Sequence, residues 1–254
     1  MTTTKIIVCG VLGRMGRSVC EMIKADDRCE ISCGIDINAD ESTALDFPVY
    51  NSILDSNVSG DVIIDFSHHT SITDILKYAT KTKTPAVICT TGHTENECAM
   101  MDEASREVGV FYSRNMSIGI NLMIALSKKA ASILGDSFDI EIVEEHHNNK
   151  LDAPSGTALM IADAVRDTLE RESEYVYDRH LTRRKRNENE IGIHSVRGGS
   201  IIGEHEIIFA GQNEVLRIHH SAFSREVFAK GALSAALFMK DKEKGAYDME
   251  SMLG

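Results

Sequence analysis

Apolar and polar positions follow two rhythms along this chain. Short β-branched runs at 5–9, 30–35, 62–66, 86–89 and 110–112 are almost continuously apolar, as strands buried on both faces are. Between them, 15–25 and the stretches around 71–80 and 95–108 carry apolar residues at helical spacing. Strand and helix alternating in this way predict a parallel sheet covered on both sides, a Rossmann-like dinucleotide-binding architecture.

The rhythm changes after about residue 116. A long helix at 118–134 leads into a strand at 139–144, a second helix at 156–170 and a polar loop. Strand-like runs follow at 191–196, 205–210 and 215–220, and a final apolar helix at 225–240 is suited to packing back on the first domain. The expectation is an α/β protein in which residues 1–116 and 226–254 form the dinucleotide-binding domain. An α+β substrate-binding and oligomerisation domain with a mixed sheet, 117–225, is inserted between them, and both crossings serve as hinges.

Composition narrows the field. At 254 residues both domains can bury a core, and a formal charge of -12 argues against nucleic-acid binding. The one basic run, Arg183, Arg184, Lys185 and Arg186, is followed at once by Glu188 and Glu190 and reads as a solvated loop. No apolar stretch approaches the roughly 20 residues a membrane helix needs. Met1 to Thr4 lead straight toward a strand without a secretory leader, so a cytoplasmic protein without membrane partners is expected. Six cysteines without paired spacing read as buried, reduced thiols.

Directly after the first strand comes Gly10-Val11-Leu12-Gly13-Arg14-Met15-Gly16. A strand, a glycine-rich turn and a helix bring backbone N–H groups and a helix dipole to one point, which suits a pyrophosphate. Leu12 stands where the standard fingerprint has its middle glycine, so the loop alone is weak evidence. Asp36, at the end of the second strand, strengthens it as an acceptor for ribose hydroxyls, a reading that the order strand, loop, helix, strand and acid favours over a mere loop cap. Ile37 and Asn38 supply no cation for a 2′-phosphate, which leans the choice between NADH and NADPH toward NADH; Arg14 or Lys5 could still reach a phosphate.

The most informative stretch runs from Glu141 to Ala158. His146, His147 and Lys150 can donate protons and pair with carboxylates, and Pro154-Ser155-Gly156-Thr157 signals a helix N-terminus able to hold a small dicarboxylate. Three other readings compete. The polar segment could be an exposed turn. The histidines could bind metal, but neighbours on a strand point to opposite faces, and no metal is expected. Ser155 with His146 could serve a hydrolase, but no G-x-S-x-G elbow is present.

The run from Glu144 through Ala158 resembles the signature of the dihydrodipicolinate reductase family. Asp65-Phe66-Ser67, Thr90-Thr91-Gly92, Asn115 to Asn121, Ser195 to Gly199 and Gly203-Glu204-His205 extend the likeness along nearly the whole chain. The resemblance implies NAD(P)H-dependent reduction of 4-hydroxy-tetrahydrodipicolinate to tetrahydrodipicolinate in lysine and diaminopimelate biosynthesis, by a homotetramer. It implies that His146 donates the proton and Lys150 acts as second acid and carboxylate partner, while His147, Ser155, Gly156 and Thr157 hold the substrate. Cys89, Thr90, Thr91, Ser113, Arg114, Asn115 and Met116 would line the nicotinamide end. Cys89 stands where the family commonly has glycine and Met116 where many members have an aromatic, which would alter packing there. A regulatory nucleotide sensor would need the glycine loop and Asp36 but not His146, His147 and Lys150; an acyl-forming dehydrogenase would need Cys89 as a reactive thiol.

Overall fold

A computed structural model describes residues 3–40, 43–180 and 183–254. The chain divides into two compact units, Met1–Ile118 with Glu226–Gly254, and Gly119–Arg225. Among the described residues no helix is long and apolar enough to cross a membrane.

The first unit is built on a seven-stranded sheet. In chain order its strands are β1 (Thr4–Cys9), β2 (Cys29–Ile35), β3 (Val49–Tyr50), β4 (Val62–Asp65), β5 (Ala86–Ile88), β6 (Gly109–Tyr112) and β12 (Gly245–Tyr247). They lie in the order β12-β6-β5-β4-β1-β2-β3, every pair parallel. Ile6, Ile7, Val8, Ile63 and Ile64 are fully buried because helices cover both faces, and this is why these strands lack polar alternation. Helices α1 (Arg14–Lys24) and α6 (Glu226–Met239) pack on one face; α2 (Ile72–Thr82) and α3 (Glu95–Ser105) pack on the other. Ala229, Ala232, Ala235, Ala236 and Met239 put the apolar stripe of α6 into the core shared with Ile6, Val8 and Ile64.

The second unit carries a mixed five-stranded sheet. Its elements are α4 (Ile118–Leu134), β7 (Asp139–His146), α5 (Gly156–Arg166), β8 (Glu174–Val176), β9 (Glu190–Arg197), β10 (Gly203–Ala210) and β11 (Val215–Ala222). The strand order is β11-β10-β7-β9-β8; β10 is antiparallel to β7 and β11, while β9 is parallel to β7 and β8. Burial alternates strictly along β7 and β10. Ile140, Ile142, Glu144 and His146 of β7 face a core with Ile191, Ile193, Ile207 and Phe209 and with Ala158, Ile161 and Val165 of α5.

The basic run proves more than a solvated loop. Arg184 pairs with the buried Glu190 at 2.7 Å, and Arg186 pairs with Glu141 at 3.0 Å and Asp139 at 2.7 Å. Arg179 bridges Glu141 at 2.6 Å and also holds Glu190. Burial disfavours the charge of Glu190, but hydrogen bonds from Arg179, Asn187 and Arg184 outweigh it and push its pKa down to about 2. These cations pin the segment before β9 to the sheet. Lys185 and Arg183 are exposed.

Candidate active site

In the first unit the glycine loop and Asp36 line one cavity of about 470 Å³, together with Leu12, Asn38, Ser67 and His68. Gly10 leaves β1 at φ +76°, and a Cβ on it would stand 2.4 Å from the carbonyl oxygen of Phe66. A Cβ on Gly16 would stand 2.0 Å from the Gly10 oxygen, so α1 starts against the loop itself. Gly13 caps α1 without any side-chain hydrogen bond, and no acid sits in the first turn. The helix end therefore presents backbone N–H groups to an anion, and the shape and donor set fit a dinucleotide phosphate.

Asp36 is nearly buried, and its carboxylate already accepts hydrogen bonds from Leu12 N–H at 3.0 Å and from the Asn38 backbone N–H at 3.0 Å. It both shapes the loop and faces the cavity. Val11 is buried, while Arg14 and Met15 open α1 beside the loop.

The remaining expected cofactor residues do not line this cavity. Cys89 and Thr90 are buried beyond the end of β5, with Thr90 Oγ1 donating to Asp65 O at 3.5 Å; Thr91 is exposed. Ser113 Oγ donates to Asn115 O at 2.8 Å and Asn115 Oδ1 accepts from Ser117 N–H, which fixes the turn after β6. Arg114 is exposed. Met116 packs into the core, its carbonyl so close to Gly231 of α6 that a Cβ there would fall 1.6 Å away. Its side chain thus fills the core and offers no open stacking surface. Burial pushes the Cys89 thiol well up, so no reactive thiolate stands here.

In the second unit one carboxylate organises the site. Glu144, fully buried on β7, accepts from both terminal nitrogens of Arg197 at 2.8 and 2.7 Å, and from the Ser155 backbone N–H at 3.1 Å. Its Oε2 lies 2.5 Å from Nδ1 of His146, the last residue of β7. Burial raises its proton affinity, but hydrogen bonds from Arg197, Ser195 and His146 outweigh that and bring its pKa down to about 2. His146 is shifted below its ordinary value, chiefly by burial and against the pull of Glu144.

Ser155 caps α5, its Oγ accepting from Ala158 N–H at 3.1 Å and sharing a 3.0 Å hydrogen bond with His205 Nε2. Gly156 and Thr157 form the first turn, and the space beside the Gly156 Cα is open. His205 stands edge-on to His146, ring centres 5.3 Å apart. Nδ1 of His147 is buried without a partner, and Lys150 pairs with Asp152 at 2.9 Å. Arg197 also donates to Asp152 O at 2.7 Å, so it grips the loop that carries Lys150. His146, Lys150, His147 and Ser155–Thr157 thus come from one continuous strand-loop-helix segment.

Glu144, Arg197 and His205 join this cluster, and sequence reasoning gave none of them a role. The alternation of β7 could have found Glu144, since it places a glutamate in phase with Ile140 and Ile142 on the buried face.

The descriptions "Dihydrodipicolinate reductase, N-terminus" and "Dihydrodipicolinate reductase, C-terminus" match residues 4–116 and 119–253. The chain is 51% identical over 249 residues to 4-hydroxy-tetrahydrodipicolinate reductase of Caldanaerobacter subterraneus subsp. tengcongensis, covering 98% of each chain. It is 46% identical over 249 residues to the protein of the same name from Clostridium tetani, covering 98% of this chain and 96% of that one. Its fold is similar to a dipicolinate-bound dihydrodipicolinate reductase from Paenisporosarcina sp. TG-14, with TM-score 0.80 at 21% identity over 97% of this chain and 98% of that one. Matched in both halves and across nearly its whole length, the chain belongs to the dihydrodipicolinate reductase family of NAD(P)H-dependent oxidoreductases.

Proposed function

We propose that in reducing 4-hydroxy-tetrahydrodipicolinate to tetrahydrodipicolinate this chain uses His146 as proton donor, Lys150 and the α5 N-terminus as carboxylate holders, and NADH as the preferred cofactor. The observation that carries this reading is the Glu144 carboxylate, which ties the His146 imidazole and the start of α5 into one rigid group. Such a group brings a proton-transfer nitrogen and an anion-binding helix end to the same small substrate. The Paenisporosarcina neighbour binds dipicolinate, itself a ring dicarboxylate.

The bound nicotinamide supplies the hydride. The protein's own residues then handle charge. Lys150 exchanges Asp152 for a substrate carboxylate, while the other carboxylate meets the first turn of α5. Two carboxylates beside His146 favour its imidazolium form, so the proton arrives with the substrate and leaves through Nε2. One hydride and one proton enter and one water leaves. General acid catalysis of this kind is worth roughly 10²–10⁴-fold.

NADH is favoured because the cavity is lined by two acids, Asp36 and Asp74, and by no lysine or arginine among the described residues. A 2′-phosphate there would meet repulsion without a cation to offset it. A homotetramer is supported by apolar residues on the outer face of the second sheet beyond the part covered by Arg179 and Arg186, where Val196 and Val215 are 44% and 54% exposed. Val143 and Ile208 share that face by register.

The test is oxidation of NADH and NADPH, side by side, with substrate generated in place from pyruvate and aspartate semialdehyde by a synthase. Oxidation that depends on that substrate and is faster with NADH supports the reading. NADH binding without turnover would leave a nucleotide sensor, and faster NADPH turnover would reverse the cofactor assignment.

A further inference from the structure

We propose that Glu144 is a positioning residue for the reduction: clamped by Arg197, it holds the His146 hydrogen on Nδ1 and makes Nε2 the nitrogen that exchanges a proton with substrate. This rests on His146 being the proton donor.

The hydrogen-bond inventory argues for it. A carboxylate has about four acceptor sites. Those of Glu144 receive two bonds from Arg197, one from Ser155 N–H and one from His146, with the Ser195 side chain a further donor beside them. With three fixed donors around it, Glu144 has no use for a proton of its own, so the hydrogen between it and His146 belongs to the imidazole. Nδ1–H follows, and Nε2 is left to act. This is the general logic by which a carboxylate sets a histidine tautomer.

The surrounding charges keep the arrangement from trapping the proton. Facing His146 are Glu144 on its own strand, Arg197 on β9, His205 on β10 and Lys150 in the following loop. Arg197 offsets the Glu144 charge, and Lys150 and Arg197 both disfavour imidazolium. An isolated Glu–His pair would hold a proton tightly on the ring; this one is neutralised from behind, so the ring can release it. Glu144 touches neither substrate nor cofactor in this account and acts through His146.

A buried ion pair kept only for the fold is the competing explanation. Nitrogen-15 NMR of labelled histidine near neutral pH separates the two. The expected wild-type spectrum has His146 as the single Nδ1–H tautomer; an Nε2–H tautomer would overturn the proposal without any variant. In Glu144→Gln the expected result is mixed tautomers, kcat lower by roughly 10²-fold and NADH affinity unchanged. Adding Glu144→Gln to His146→Gln should then cost nothing further, because the two act as one unit. Losses that multiply, or a Glu144→Gln enzyme with normal turnover, would overturn it. Should Glu144→Gln fail to fold, Arg197→Lys keeps the charge but not the two-pronged clamp, and is expected to mix the tautomers; an unmixed spectrum there would count against the clamp. A His146→Gln enzyme with unaltered turnover would instead strike the proton-donor reading, while the tautomer spectra would still decide what Glu144 does.

Discussion

A Cβ on Gly203 would stand 3.1 Å from Nε2 of His146. The start of β10 therefore lies directly against the nitrogen proposed to exchange the proton. Gly203 has no left-handed backbone requirement, so its smallness matters for access and not for conformation.

Gly203→Ala is accordingly expected to fold normally and to lower kcat by about 10-fold, as the added methyl displaces the imidazole by a few tenths of an ångström. Unchanged thermal stability with reduced turnover is the result to look for. An alanine enzyme with full turnover would show that Nε2 is approached from another side.

Gly10 makes the opposite demand. Its φ of +76° costs an alanine about 1–2 kcal/mol, and the contact with Phe66 O adds to that. Gly10→Ala should lower the melting temperature and weaken NADH binding at least tenfold, read by fluorescence titration. Retained affinity would mean that the loop does not cradle the phosphates.

Stability should depend on pH through His205. Burial first, and then the neighbouring His146, push its pKa down to about 3, against about 6.5 in an unfolded chain. Between these values the unfolded chain binds the proton and the folded one does not. The contribution is present above pH 6.5 and is lost as pH falls toward 3, at up to about 1.4 kcal/mol per pH unit. Urea unfolding from pH 7 to pH 4 should show this slope flattened in His205→Gln. An identical slope in both proteins would place the responsible group elsewhere.

Binding of a dicarboxylate should carry a proton with it. His146 lies below its ordinary pKa in the free protein, and two carboxylates beside it favour the charged ring. Calorimetric titration of dipicolinate in two buffers of different ionisation enthalpy, near neutral pH, is expected to show net proton uptake, and affinity should weaken as pH rises. His146→Gln should abolish most of that uptake. Uptake unchanged in the variant would assign the proton to another group.

Much of the fold was legible because its signals are periodic. The apolar runs around Ile6, Ile63 and Val87 announced buried parallel strands, and the helices 118–134 and 225–240 matched α4 and α6 to within a residue at each end. The strands β3, β8 and β12 were not legible. Each is two or three residues long and lies at a sheet edge, where pairing with an inner strand defines it and its own side chains do not. That His146, Lys150 and Ser155–Thr157 would lie on one strand-loop-helix segment was legible because they are close in the chain. Arg197 and His205 reach the same site from β9 and β10, and only the register of β7 with those strands brings them there. The role of Glu144 needed the bonds themselves: a glutamate beside two histidines gives no sign that it serves only one of them.

The most direct measurement is turnover of His146→Gln beside its affinity for NADH. The expected result is kcat lower by roughly 10²–10⁴-fold, with NADH affinity unchanged because the glycine loop and Asp36 are untouched. An enzyme that lacks this imidazole and still turns over at the wild-type rate would contradict the assignment of the proton to His146.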